Sequence, residues 1–288
     1  MTSIIVTGST GFIGKHLVST LSQEKRDLHL LSRKGKDGSM SIDLNCVHEV
    51  DAVFAACNAD TVVHLASDVR SIQSEKDIAC EANMAINVMS AIQNSCRFIY
   101  LSTADEYSSS PNPISENGEL HPINPYARAK FEARKALEIK AKEMNLELVV
   151  LRPFLVYGMG QPSHMFIPQL LKSIIDDKVF HYSARRKIRD YVHVSDVVQA
   201  IRLLVDCETD IGGVYNIGTG IGTSLSEVIK IVENKIGQTL NVERDQSLGV
   251  SNPDRLVSDS ERIKKEIGWQ PKIELSCGLS DLIETTCA

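Results

Sequence analysis

Long apolar runs are missing from this 288-residue sequence, and none approaches the ~20 residues needed to cross a bilayer. The first apolar run, Ile4-Ile5-Val6, is short and leads almost at once into a glycine turn, so it reads as a strand and not as a signal peptide. A cytoplasmic protein is the expectation. Paired cysteines are missing too. The seven cysteines (46, 57, 80, 96, 207, 277 and 287) are odd in number, widely spaced and without a Cys-x-x-Cys. They read as reduced, mostly buried thiols, which excludes a disulfide scaffold. The eight histidines show no metal-ligand spacing, so no metal site is expected. Positive charge is in deficit: 31 Lys and Arg stand against 37 Asp and Glu, a formal net charge of −6. That balance argues against nucleic acid and anionic membranes as main partners. Any anionic substrate must be held by local Arg and Lys. Internal repeats and low-complexity tracts are absent as well.

What is present is an ordinary globular composition, 43% hydrophobic and 24% charged, in a chain long enough for one elaborated domain or two interleaved ones. The chain is organised around its first seventeen residues. After the strand come Gly8, Gly11 and Gly14 at three-residue spacing, then Ile13, Leu17 and Leu21 every four residues on one helical face. Strand, glycine turn and helix make a dinucleotide pyrophosphate site, with the free N–H groups of the helix start turned to the anion. A P-loop fails on spacing, because Ser9 and His16 stand where a glycine and a Ser/Thr are needed.

Further strands are expected at Leu28–Leu31, 61–66, Arg97–Leu101 and 146–151, alternating with helices over 51–57, 78–94 and from Pro125 to Met144 with Asn124 as cap. This alternation implies a parallel doubly wound sheet. At the end of the second strand, Ser32 replaces the acid that would bind a ribose 2′-hydroxyl and repel a 2′-phosphate, and Arg33-Lys34 follow. That favours NADP(H), with NAD(H) possible. His64 reads as a core histidine. Residues 108–125, with four prolines, read as a loop facing the substrate. From Gly158 the alternation stops, with helices expected over Phe166–Ile175 and Leu225–Ile236.

Tyr126 and Lys130 are four apart on one helix face, and Thr103 ends a strand nearby. Hydride transfer at a carbinol needs a proton acceptor at oxygen, the role suited to Tyr126. Moving a phenol from ~10 to near neutrality takes roughly 4 kcal/mol, which Lys130 and an oxidised nicotinamide can supply. Thr103 is expected to orient the substrate oxygen.

The spacing Gly-x-x-Gly-x-x-Gly and the segment Asn124-Pro-Tyr-Ala-Arg-Ala-Lys130 resemble the short-chain dehydrogenase/reductase superfamily, in particular its extended branch of nucleotide-sugar epimerases and dehydratases. The resemblance implies a Rossmann-type α/β fold with a smaller discontinuous α/β substrate domain. Residues 1–157, with 191–212 returning, are expected to form the dinucleotide domain; 158–190 and 213–288 the substrate domain. It places the cofactor against Gly8, Thr10, Gly11, Phe12, Ile13, Gly14, Ser32, Arg33, Lys34, Asp43, Leu44, Leu65, Ala66, Asn83, Tyr126, Lys130 and Pro153. Arg189, in Ile188-Arg-Asp-Tyr-Val-His-Val194, and Arg255 take the family's two diphosphate arginines, and Asp105 faces the sugar. The family's dehydratases carry Thr-Asp-Glu at the strand end; Thr103-Ala104-Asp105 lacks that acid, so water elimination is not expected. Decarboxylases, which keep a glutamate where Asp105 sits, stay open, and Asp105 and Glu106 read equally as solvated loop charges. The reading is NAD(P)-dependent hydride transfer at C4 of a nucleotide-linked hexose, best as an NADPH-dependent 4-keto-6-deoxy sugar nucleotide reductase. A 4-epimerase retaining NAD is the alternative, and a non-catalytic cofactor sensor the rival from another class. A homodimer paired through the helices at 78 and 125 fits the resemblance.

Overall fold

The computed structural model describes residues 2–67, 72, 74–249 and 253–287. In the first part of the chain β1 (Ser3–Thr7), α1 (Phe12–Ser22), β2 (Asp27–Ser32), β3 (Met40–Ser41), α2 (Val47–Ala56), β4 (Thr61–His64), α3 (Glu75–Ser90), β5 (Arg97–Leu101), α4 (Pro125–Met144) and β6 (Glu147–Pro153) follow one another. A short 3₁₀ turn, Ala104–Glu106, sits between β5 and α4. Then come β7 (Leu155–Tyr157), α5 (Phe166–Ile175), β8 (Phe180–Ser183), β9 (Ile188–His193), α6 (Val194–Asp206) and β10 (Gly213–Ile217). The chain closes with β11 (Gly222–Ser224), α7 (Leu225–Ile236), β12 (Val242–Asp245), β13 (Arg255–Leu256), α8 (Glu261–Ile267) and α9 (Leu275–Cys287).

Seven strands form one parallel sheet in the order β10-β6-β5-β4-β1-β2-β3. The order reverses at β1 and β4, so their carboxyl ends open a crevice, the place where doubly wound sheets receive ligands. Successive strand residues point to opposite faces. Ile4 and Val6 therefore join the layer of α1 and α6, with Leu17, Leu21, Val197 and Ile201. Ile5 joins the opposite layer of α2, α3 and α4, with Val50, Phe54, Val88 and Leu137. This is the expected Rossmann-type architecture.

A second, smaller layer of strands lies outside that sheet. In it β9 pairs with β11, β13 and β7, and α5, α7 and α9 build their own core around Leu170, Tyr191, Val228 and Leu279. The domain limits differ from the sequence expectation at three strands. Residues 191–193, expected to return to the dinucleotide domain, lie in β9 of the smaller sheet. Val214–Ile217 falls in β10, which pairs parallel with β6 in the large sheet, whereas β7 leaves that sheet to pair with β9. Leu-Val-Tyr in β7 and Gly-Val-Tyr-Asn-Ile in β10 share a Val-Tyr pair that fits either sheet, and the partner strand decides the sheet each joins.

The two halves are joined by buried polar groups. Asp190 accepts the backbone N–H groups of Thr219 and Gly220, both at 2.8 Å, and of Ser258 at 3.1 Å. Gly218 is fixed by this clamp, since a Cβ there stands 2.7 Å from Asp190 Oδ2. At the chain end, the Trp269 indole donates to the Asp196 carbonyl at 2.8 Å, and the Asp196 carboxylate accepts Lys272 and Ile273 N–H, each at 3.1 Å. Loop 108–124 is not turned to the crevice as expected. Ile114 and Leu120 pack with Tyr107, Phe154 and Leu256, and Ile114 bridges to Ser258.

Candidate functional site

The crevice holds two adjoining cavities, of ≈ 790 and ≈ 250 Å³, which share Gly8, Thr10, Gly11, Leu65 and Ser67. The glycine turn forms their common floor. Gly8 has φ 67°, and a Cβ on it meets the Ala66 backbone nitrogen at 2.7 Å. Gly14 brings α1 against the turn so closely that a Cβ stands 2.2 Å from the Gly8 carbonyl oxygen. Gly11 caps α1 without a side-chain hydrogen bond, and the first turn contains no acid. The helix start thus presents free N–H donors and its positive end to the cavity, a donor set suited to a pyrophosphate.

The smaller cavity is lined by Ser32, Arg33, Lys34, Asp43, Leu44, Leu65 and Ala66, all of them expected, and by Leu31, Ile42, Ser67 and Met84, which are not among the expected residues. Buried Ser32 shares a hydrogen bond with Ser39 at 2.6 Å and accepts Gly35 N–H, so the turn carrying Arg33 and Lys34 is fixed from within. Asn83 departs from the expectation. It is exposed on α3 and lines neither cavity, and Asn87, one turn on, ties α3 to the Leu44 carbonyl at 2.9 Å instead.

The larger cavity is lined by Thr10, Phe12, Ile13, Gly14, Thr103, Asp105, Tyr126, Lys130, Pro153 and Arg189. Asn124 caps α4 by accepting Ala127 N–H at 2.8 Å, and Pro125 opens the helix, which directs Tyr126 and Lys130 into the crevice. Thr103 starts the 3₁₀ turn by accepting Asp105 N–H at 3.2 Å, and its hydroxyl also hydrogen-bonds the Tyr126 phenol. Burial first, then the carboxylates of Asp105 and Glu81, push Tyr126 well above the usual phenol range, against the Thr103 bond. Lys130 was expected to lower it, but its ammonium lies 2.9 Å from Glu81 Oε1, and both side chains are almost fully buried.

A buried network stands behind the turn. Glu106 accepts Arg134 Nε at 2.8 Å and Arg152 Nη2 at 3.0 Å, and Ser102 donates to its other oxygen. Arg152 also donates to the Tyr107 hydroxyl, which donates to Asn216 Oδ1, both at 2.8 Å. β5, α4, β6 and β10 are thereby locked around Thr103 and Asp105. Glu106 reads from the sequence as a solvated loop charge, yet it is fully buried because α4 and β6 each place an arginine against it.

Across the cavity, Arg189 donates to the carbonyls of Ile188 at 2.9 Å and Pro253 at 2.7 Å. Burial pulls its pKa down, while Asp105 pulls it up. Burial in turn raises Asp105, opposed by Arg189. Arg255 is not brought to either cavity. Its Nε donates to the Pro111 carbonyl at 3.1 Å, and its neighbour Leu256 lines the large cavity, since adjacent strand residues face opposite ways. Gln161 and His164, on the β7–α5 loop, are polar lining residues without a sequence signal that singles them out. Among the described residues no group of three or more His, Cys, Asp or Glu is placed to hold a metal ion, and no helix is long and apolar enough to cross a membrane.

A parallel doubly wound sheet with a glycine turn at its switch point and a Tyr-x-x-x-Lys helix beside it defines an extended short-chain dehydrogenase/reductase. The chain belongs to the NAD dependent epimerase/dehydratase family, whose model matches residues 4–218. Over 98% of its length it is 27% identical to the dTDP-4-dehydro-6-deoxyglucose reductase of Escherichia coli, covering 96% of that protein. It is 28% identical to a UDP-glucose 4-epimerase of Lactobacillus helveticus, with 98% of this chain and 95% of that one covered. Among solved structures, MoeE5 in complex with UDP-glucose and NAD superposes with a TM-score of 0.89 at 29% identity, covering 99% of this chain and 98% of that one.

Proposed function

We propose that the protein catalyses NAD(P)-dependent hydride transfer at C4 of a nucleotide-linked hexose, as an NADPH-dependent 4-keto-6-deoxy sugar nucleotide reductase. The observation that carries this reading is the convergence of Thr103, Tyr126 and Lys130 on a cavity floored by the glycine turn. A bound nicotinamide supplies the hydride. The α1 N-terminus holds the pyrophosphate, and the Leu65–Ala66 backbone and Pro153 flank the dinucleotide. Thr103 fixes the substrate oxygen, and Tyr126, a neutral phenol in these surroundings, gives it the proton. Lys130 holds the nicotinamide ribose. Arg189 takes the diphosphate and Asp105 a sugar hydroxyl. Arg33 and Lys34 on the smaller cavity favour a 2′-phosphate and hence NADP(H).

One observation favours a second reading. MoeE5 was solved with NAD and UDP-glucose, which suits a 4-epimerase that keeps its cofactor and returns the hydride to the other sugar face. Mass spectrometry of the small molecule released on denaturation separates the two. Stoichiometric NAD+ supports the epimerase; an empty site or exchangeable NADP(H) supports the reductase. Turnover of 4-keto sugar nucleotides then tests the substrate, and failure with every one of them overturns the reductase. Pairing of two chains through the outer faces of α3 and α4, in the cytoplasm, belongs to the same reading; sedimentation measures the mass.

A further inference from the structure

Glu81 has no part in the chemistry above, yet it is a buried carboxylate beside it. Its carboxylate and the Lys130 ammonium are 2% and 3% exposed and 2.9 Å apart. Neither carboxylate oxygen has an aligned hydrogen-bond partner among the described residues, so the contact is a bare ion pair. Such a pair gains little over an apolar pair of the same volume, because desolvation cancels most of the attraction. Its position gives it another use. Lys130 also lies 4.9 Å from the centre of the Tyr100 ring, whose hydroxyl is buried and unpartnered among the described residues.

The charges facing Tyr126 come from every element around it. Lys130 shares its helix and lines the same cavity, and the carboxylates that act on Tyr126 are Glu81 on α3 and Asp105 and Glu106 on the turn after β5. Glu106 is already held by Arg134 and Arg152, and Asp105 faces Arg189 from β9. Tyr100 on β5 and His64 on β4 are neutral, His64 being held at about 3 by burial and by Lys130. Glu81 is therefore the one facing carboxylate whose counter-charge is Lys130.

We propose that Glu81 is a positioning residue that shares the Lys130 ammonium with the active site and so keeps Tyr126 a neutral, proton-donating phenol until the positive charge of an oxidised nicotinamide arrives. The proposal rests on Tyr126 and Lys130 acting as the acid/base pair. It makes the site a donor of protons to a carbonyl by default, the state in which a reductase must begin.

The test is a pH titration of tyrosinate absorbance in the full chain saturated with NADP+ or NAD+, with the Tyr126→Phe signal subtracted to isolate Tyr126. Glu81→Gln should move the Tyr126 midpoint about one pH unit lower, a tenfold change in its acid constant. Glu81→Asp, which keeps the charge, should restore a midpoint close to that of the unaltered protein. A midpoint unmoved or raised by Glu81→Gln overturns the proposal. Should that variant not fold, Glu81→Ser, which lets water hydrate the ammonium, is read in the same way. Turnover by Tyr126→Phe tests the acid/base reading separately: retained turnover sinks that reading wherever the midpoint lies.

Discussion

The carboxylates of Asp105, Glu81 and Glu106 all oppose ionisation of Tyr126, and its chemistry depends on one hydroxyl. Tyr126→Phe removes the transferable proton without touching the glycine turn, so turnover should fall at least about a thousandfold while dinucleotide affinity stays within a few-fold. Stopped-flow hydride transfer and a fluorescence titration measure the two quantities. At the other end of the crevice, Arg33→Asp puts an acid beside the adenosine cavity and should weaken NADPH binding far more than NADH binding. Equal losses remove the case for NADP(H). His64 makes a prediction about stability rather than chemistry. It is buried, bonded to Thr7 Oγ1 at 3.0 Å, and held at about 3. The unfolded chain takes up this proton near ~6.5 and the folded one does not, so stability is lost as pH falls through that interval. The loss from this group alone at pH ~5 is about 2 kcal/mol. His64→Asn should therefore narrow the gap between the melting temperatures at pH ~7 and ~5.

At the scale of elements, two features carry the site. Gly14 lets α1 lie on the turn, and a Cβ there overlaps the Gly8 carbonyl backbone. Gly14→Ala should cost about 1–3 kcal/mol and much of the cofactor affinity, read by thermal melts and NADPH titration. Glu106 is the node on which two buried arginines converge. Glu106→Gln leaves them short of charge, and a loss of about 3 kcal/mol in denaturant is expected. These elements differ in how far the sequence announces them. Asn124-Pro125 and the glycine spacing are local chemistry, so α1, α4 and the placement of Tyr126 and Lys130 could be read in advance. The phase of α3 could not. Whether Asn83 or Glu81 is turned inward against Lys130 is decided by the packing of α3 against α4, which no residue pattern in α3 declares. The same holds for Arg255, whose direction is set by the pairing of β13 with β9.

The whole molecule is interleaved, and its second half could not be parsed from periodicity because two sheets compete for similar short strands. The lobe built on β9 owes its attachment to long-range polar clamps, among them Asp190 with residues 219–220 and 258, and Asp196 with the chain end. Nothing local in the sequence reports those partners.

The partnering of β10 with β6 has a consequence for biosynthesis. The ribosome releases the strand β6 some sixty residues before β10 exists to cover its open edge, with the segment from Phe154 to Gly212 made in between. During that interval the nascent sheet ends in an unpaired, apolar strand, the kind of edge that recruits other chains. Synthesis halted before Val214 should therefore leave a product that aggregates or holds chaperones, whereas one extended past Ile217 closes its own sheet.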